Sequence, residues 1–193
     1  MIAVKGGCID TISAGTIQGG VVLVEGERIV AVGKDINVPP SYRVLDASGS
    51  YVVPGFIDAH CHAGICEEIY RVEGDDLNET TDPVTPYLRA IDGVNLQDLA
   101  FADAVEAGIT RVLVAPGSAN VIGGETVLLK TWAPTLSQMI DRETWGLKAA
   151  LGENPKRVYG GQDKAPKTRM ASAALLREAL FKARQLAESS NQD

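Results

Sequence analysis

Eleven consecutive residues, Val52-Val53-Pro54-Gly55-Phe56-Ile57-Asp58-Ala59-His60-Cys61-His62, constrain this chain more than any other stretch. They hold the only two histidines of the sequence, two positions apart, after a short apolar run. In an extended strand residues i and i+2 point to the same face, so His60 and His62 can reach one point in space while Cys61 faces away. Two imidazoles converging at a strand end make half of a metal site. The spacing alone fits two surface histidines beside a turn equally well.

What precedes this stretch reads as β-structure. Val21-Val22-Leu23-Val24 and Arg28-Ile29-Val30-Ala31-Val32 are β-branched runs joined by Glu25-Gly26-Glu27, a hairpin signal in which Gly26 can supply a positive φ. Pro39-Pro40 interrupts the chain before a further strand at Tyr42-Arg43-Val44-Leu45-Asp46, and Gly49-Ser50 marks a turn before Tyr51-Val52-Val53. These strands are short, and residues 1–53 are too few to bury much surface alone. Pro54-Gly55 is the natural boundary, because proline fixes φ and glycine frees it.

From Pro54 onward strands alternate with helices. Phe56 to His62 is a strand, and Glu67 to Pro86 reads as a long acidic loop. A helix is expected from about Asn95 to Ala107, with Asn95 as N-cap and Gly108 as stop. Its face is Leu96, Leu99, Ala100, Ala104 and Ala107, with Phe101 and Val105 outside it. Thr110 to Ala115 is a buried strand ending in the polar loop Pro116-Gly117-Ser118-Ala119-Asn120. Thr126 to Lys130 and Gly146 to Leu151 are further strands, the latter ending at Gly152-Glu153-Asn154-Pro155. A last helix runs from about Ala171 to Ser189, with a frayed tail over Glu188 to Asp193. Such alternation argues for parallel β/α architecture, in which chemistry gathers at the carboxyl ends of strands. His60, His62, the 117–120 loop and Glu153 are the features collected there.

Composition removes several functions. The net charge of −7 argues against a nucleic-acid partner, which needs clustered Lys and Arg. No apolar segment approaches a membrane span, and no basic-then-apolar secretion signal is visible. Three cysteines, Cys8, Cys61 and Cys66, are an odd number and do not form a disulfide framework. The expected compartment is the cytoplasm.

The hairpin Val22 to Gly33 followed by Pro54-Gly55-Phe56-Ile57-Asp58-Ala59-His60-Cys61-His62 resembles the amidohydrolase superfamily of metal-dependent hydrolases, especially its imidazolonepropionase-like members. Gly117 to Gly124, Gly152 to Arg157 and Lys167 to Lys182 also look like that subgroup. The resemblance implies an α/β fold in which a small N-terminal β-sandwich segment (1–53) precedes a TIM-type (β/α) barrel (54–193). It implies that His60 and His62 are ligands of a divalent metal, with Zn2+ expected, and that a later strand adds a Glu or a carboxylated Lys. Strand parity, counted through Gly152, puts Ala149, Leu151 and Glu153 on one side and Lys148 on the other, which favours Glu153 over Lys148. Asn120 is the candidate substrate contact, against the alternative of a tight loop. A small zinc site from His60, His62 and Cys66 matches no common finger spacing. The implied reaction is hydrolysis of a non-peptide C–N bond, such as a cyclic amide, in a small-molecule substrate by metal-activated water.

A complete barrel needs about 250 residues, and only about 140 run from Pro54 to Asp193. The family's two further histidines and its general-base Asp have no counterpart, since Asp103, Asp141 and Asp163 are not positioned to act. The barrel is therefore expected to be incomplete, with only its first strands and helices, and the chain to be a truncated N-terminal portion without catalytic residues of its own. An open half-barrel leaves an unpaired sheet edge and uncovered apolar surface, which favours association with a second copy or a missing C-terminal half. The alternative is a catalytically inactive fragment or a half-barrel subunit that needs a second chain.

Overall fold

Alternating β-branched residues and a glycine turn build the central hairpin of the first 55 residues in a computed structural model, which describes residues 1–69 and 72–190. The chain divides into two compact units, Met1–Gly55 and Phe56–Asp193. In the first unit the strands are β1 (Ile2–Lys5), β2 (Cys8–Asp10), β3 (Thr16–Gln18), β4 (Val21–Glu25), β5 (Arg28–Gly33), β6 (Arg43–Asp46) and β7 (Tyr51–Val52). One sheet has the order β5-β4-β1-β6 and the other β3-β2-β7. Gly26 turns the β4–β5 hairpin with φ +58°. Ala3 lies opposite Leu23 in register, and both join Val21 and Tyr42 in the core of this unit.

The second unit carries β8 (Phe56–Cys61), β9 (Ile109–Val114), β10 (Ile122–Glu125), β11 (Val127–Lys130), β12 (Ile140–Arg142) and β13 (Leu147–Ala149). Its helices are α1 (Leu99–Glu106), α2 (Leu136–Met139), α3 (Glu153–Gly161) and α4 (Arg169–Ser190). A four-stranded sheet has the order β12-β11-β9-β8, and β10 pairs with β13 in a separate antiparallel ribbon. Only β8 and β9 are parallel in the larger sheet; β11 runs antiparallel to both β9 and β12. The expected all-parallel alternation is corrected here. A parallel return is usually made by a helical crossover, and the twelve-residue link from β9 to β11 (115–126) instead holds strand β10 and the turn residues Pro116, Gly117, Gly123 and Gly124. Among the described residues the sheets form no closed barrel.

Period-two burial places Val112 and Val114 of β9 against Val127 and Leu129 of β11, all at most 3% exposed. Phe101, Ile65, Ile91 and Met139 complete this core. Helix α1 packs through Phe101, while Leu99 and Val105 are exposed, so the face expected from Leu96, Leu99 and Ala104 is rotated. Its N-cap is Asp98 rather than Asn95, whose side chain makes a local turn by accepting from the Gln97 N–H at 3.0 Å. Gly124 sits at φ +119° in a β10 bulge, where a Cβ would come within 2.6 Å of the Leu88 carbonyl oxygen.

Helix α3 occupies residues read as the end of a strand and a turn. Pro155 is tolerated there because it falls in the first helical turn, where its missing N–H has no partner to lose. Helix α4 begins two residues earlier than expected and takes in Glu188 to Ser190; the remaining tail, 191–193, lies outside the described residues, as do positions 70 and 71 of the acidic loop. Much of α4 is exposed, including Leu180, Phe181 and Leu186. Among the described residues no helix is long and apolar enough to cross a membrane.

Asp98 is the polar pin of this unit. Its buried carboxylate accepts from the Gly64 N–H at 2.8 Å and caps α1 through the Ala100 N–H at 3.3 Å. Gly64 adopts φ +78°, and a Cβ there would lie 3.0 Å from the Asn95 carbonyl oxygen and from Val94, so the loop after β8 closes tightly over α1. Asp98→Ala removes a cap and orphans a buried N–H, which is expected to cost about 2–3 kcal/mol in urea unfolding. Faster hydrogen exchange at Gly64 accompanies that loss; an unchanged midpoint and unchanged Gly64 protection would show that the pin is idle.

Candidate functional site

Strand β8 delivers His60 as its penultimate residue and His62 one residue past its end. The two rings lie 5.3 Å apart between centroids, edge to face at 81°. His60 is exposed and His62 half-buried. The main-chain N–H of His60 donates to Asp58 Oδ1 at 3.0 Å, which holds the backbone before the pair.

The parallel partner strand orients His62. Its Nδ1 is 2.7 Å from the Ala115 carbonyl oxygen, just beyond the end of β9. A carbonyl only accepts, so Nδ1 carries the proton and donates, and in the neutral ring Nε2 keeps its lone pair. The Ala115 N–H in turn donates to the Cys61 carbonyl at 3.1 Å, so the two strand ends are laced together around this imidazole. Histidines that hold metals have their second ring nitrogen tied down in this way.

Lys148, in the middle of β13, lies with Nζ 3.0 Å from His60 Nε2. As an ammonium it donates to that lone pair, which leaves the ring proton on Nδ1. The Lys148 charge holds the His60 pKa below the ordinary imidazole value, with burial acting in the same direction. Burial also lowers the pKa of Lys148 itself.

Glu153 is the first residue of α3 and is exposed. Among the described residues no hydrogen bond or ion pair joins it to either histidine. The parity argument that preferred it to Lys148 assumes a strand running through Gly152, but β13 stops at Ala149 and the chain turns into a helix. Side-chain alternation is lost at that turn, and Lys148 is the residue that reaches His60. Among the described residues no group of three or more His, Cys, Asp and Glu side chains is arranged to hold a metal. Cys61 and Cys66 are free thiols, and burial raises the Cys61 pKa, which makes it a poor ligand and nucleophile.

Asn120 is 2% exposed and its amide is occupied inside the chain. Nδ2 donates to Thr85 Oγ1 at 2.9 Å and to the Asp82 carbonyl at 3.1 Å, while Oδ1 is 3.1 Å from the Tyr159 hydroxyl. Tyr159 is fully buried and donates to Asp82 O at 2.7 Å; burial, with Asp82 and Glu79 nearby, pushes its pKa up to about 12. Gln162 and Lys164 donate to the carbonyls of Thr80 and Thr81, so α3 and the turn after it strap down the end of the acidic loop. The sequence carries a hint of Tyr159, an aromatic at helical spacing from Pro155, but none of the strap it forms.

Two expectations follow. With only two histidines to assign, nitrogen-detected NMR titration of the metal-free protein should find His60 below the ordinary imidazole pKa and Lys148→Met should raise it, while an unmoved His60 would break the pairing. Asn120→Ala should lower unfolding stability by about 2 kcal/mol, the cost of orphaned buried polar groups, and an unchanged unfolding midpoint would rule out this structural role.

No family model matches the chain. A crystal structure of an amidohydrolase from Thermotoga maritima superposes with a TM-score of 0.92 at 38% identity, covering 99% of this chain and 49% of that one. An amidohydrolase of Hapsidospora irregularis, tasK, is 38% identical over 181 residues, which are 86% of this chain and 18% of the relative. An imidazolonepropionase of Streptomyces griseus is 48% identical over 48 residues, 25% of this chain and 12% of that protein. The chain thus spans about half of the solved relative and less than a fifth of each of these two curated ones. Over nearly its whole length the chain is similar to amidohydrolases, and it corresponds to the N-terminal part of these longer proteins.

Proposed function

We propose that the whole protein hydrolyses a non-peptide C–N bond, such as a cyclic amide, in a small-molecule substrate, with His60 and His62 as ligands of a divalent metal, Zn2+ by expectation. The observation that carries this reading is the convergence of His60, His62 and Lys148 from the end of β8 and from β13. The donor chemistry fits a metal: His62 presents a free Nε2, and the His60 Nε2 lone pair is the one that Lys148 holds. A divalent ion there would lower the pKa of water and polarise a carbonyl.

Position 148 is the better third donor. A lysine with a lowered pKa has more free amine at neutral pH, and that amine can add to CO2: a bond forms from Nζ to the carbon, one proton leaves, and a carboxylate results. This group would stand beside His60 in place of the ammonium. Glu153 remains the alternative carboxylate. Ala115 and Asp58 fix His62 and the backbone of His60, and Asp98 fixes the loop that leaves the site. We place closure of a (β/α) barrel in the whole protein, and the reaction in the cytoplasm, in keeping with three free cysteines.

A second reading applies to the chain by itself. Two histidines and one lysine fall short of the family's ligand set, and among the described residues β8 is paired on one side only. On that reading the 193-residue chain is inactive alone and requires a second half, or a second copy, to form the site.

The test uses the whole protein. Zinc content is measured by mass spectrometry beside turnover of cyclic amides. His60→Ala is expected to remove bound zinc and to lower kcat/KM at least about a thousandfold, equivalent to about 4 kcal/mol. Lys148→Ala should do the same and Glu153→Ala should not; the reverse order would assign the carboxylate to Glu153. Full turnover in His60→Ala would defeat the metal reading.

A further inference from the structure

We draw no further inference here: the strongest candidate, the exposed apolar face of helix α4 with Leu180 and Phe181 beside one groove and Leu186 facing Pro83 and Tyr87 across another, is an unpartnered surface, and nothing in the structure shows what covers it.

Discussion

The parallel pairing of β8 with β9 is the constraint on which the candidate site depends. Register between the two strands puts Cys61 opposite Val114, so the residues that follow each strand meet. At that meeting the Ala115 carbonyl accepts a hydrogen bond from His62 Nδ1–H, which leaves Nε2 available. Slip the pairing by one residue and the imidazole faces the wrong side of the sheet. The core beneath explains why such a slip is disfavoured: Val112 and Val114 are buried against Val127 and Leu129, and a shifted β9 would expose them. Packing therefore sets the geometry of the polar site beside it.

A second, smaller set of polar contacts holds the loops around that ladder. Asp98 joins the turn after β8 to the start of α1, and Tyr159 with Asn120 and Thr85 joins α3 to the end of the acidic segment. Among the described residues every buried side-chain nitrogen and oxygen has a partner. Low dielectric makes such networks costly to leave half made, which favours one arrangement of these loops. Asn120 belongs to this framework, and its burial gives it work that has no need of a substrate.

Much of this was legible in the amino-acid order because it is local. The His60–His62 spacing, the Gly26 hairpin and the apolar repeat of α4 each follow from period two, a positive φ or period 3.6. Long-range facts were not. The antiparallel return of β11 follows a glycine-containing link that carries β10 and no helix, and the position of Lys148 beside His60 joins residues far apart in sequence. Parity does not carry from Lys148 to Glu153, because it holds only while a strand continues and β13 is three residues long. The α1 cap moved from Asn95 to Asp98 for a related reason: Asp98 also receives Gly64, a tertiary contact that outweighs local capping preference.

On the proposed reading, both imidazoles at the end of β8 hold one metal ion. X-ray absorption spectroscopy of the zinc-loaded whole protein tests it most directly, since nitrogen and sulfur neighbours are distinguished by their distance from zinc. Two imidazole contributions are expected, one lost in His60→Ala and one in His62→Ala, with no sulfur. A first shell containing sulfur from Cys61 or Cys66, or one unchanged by either histidine substitution, would contradict it.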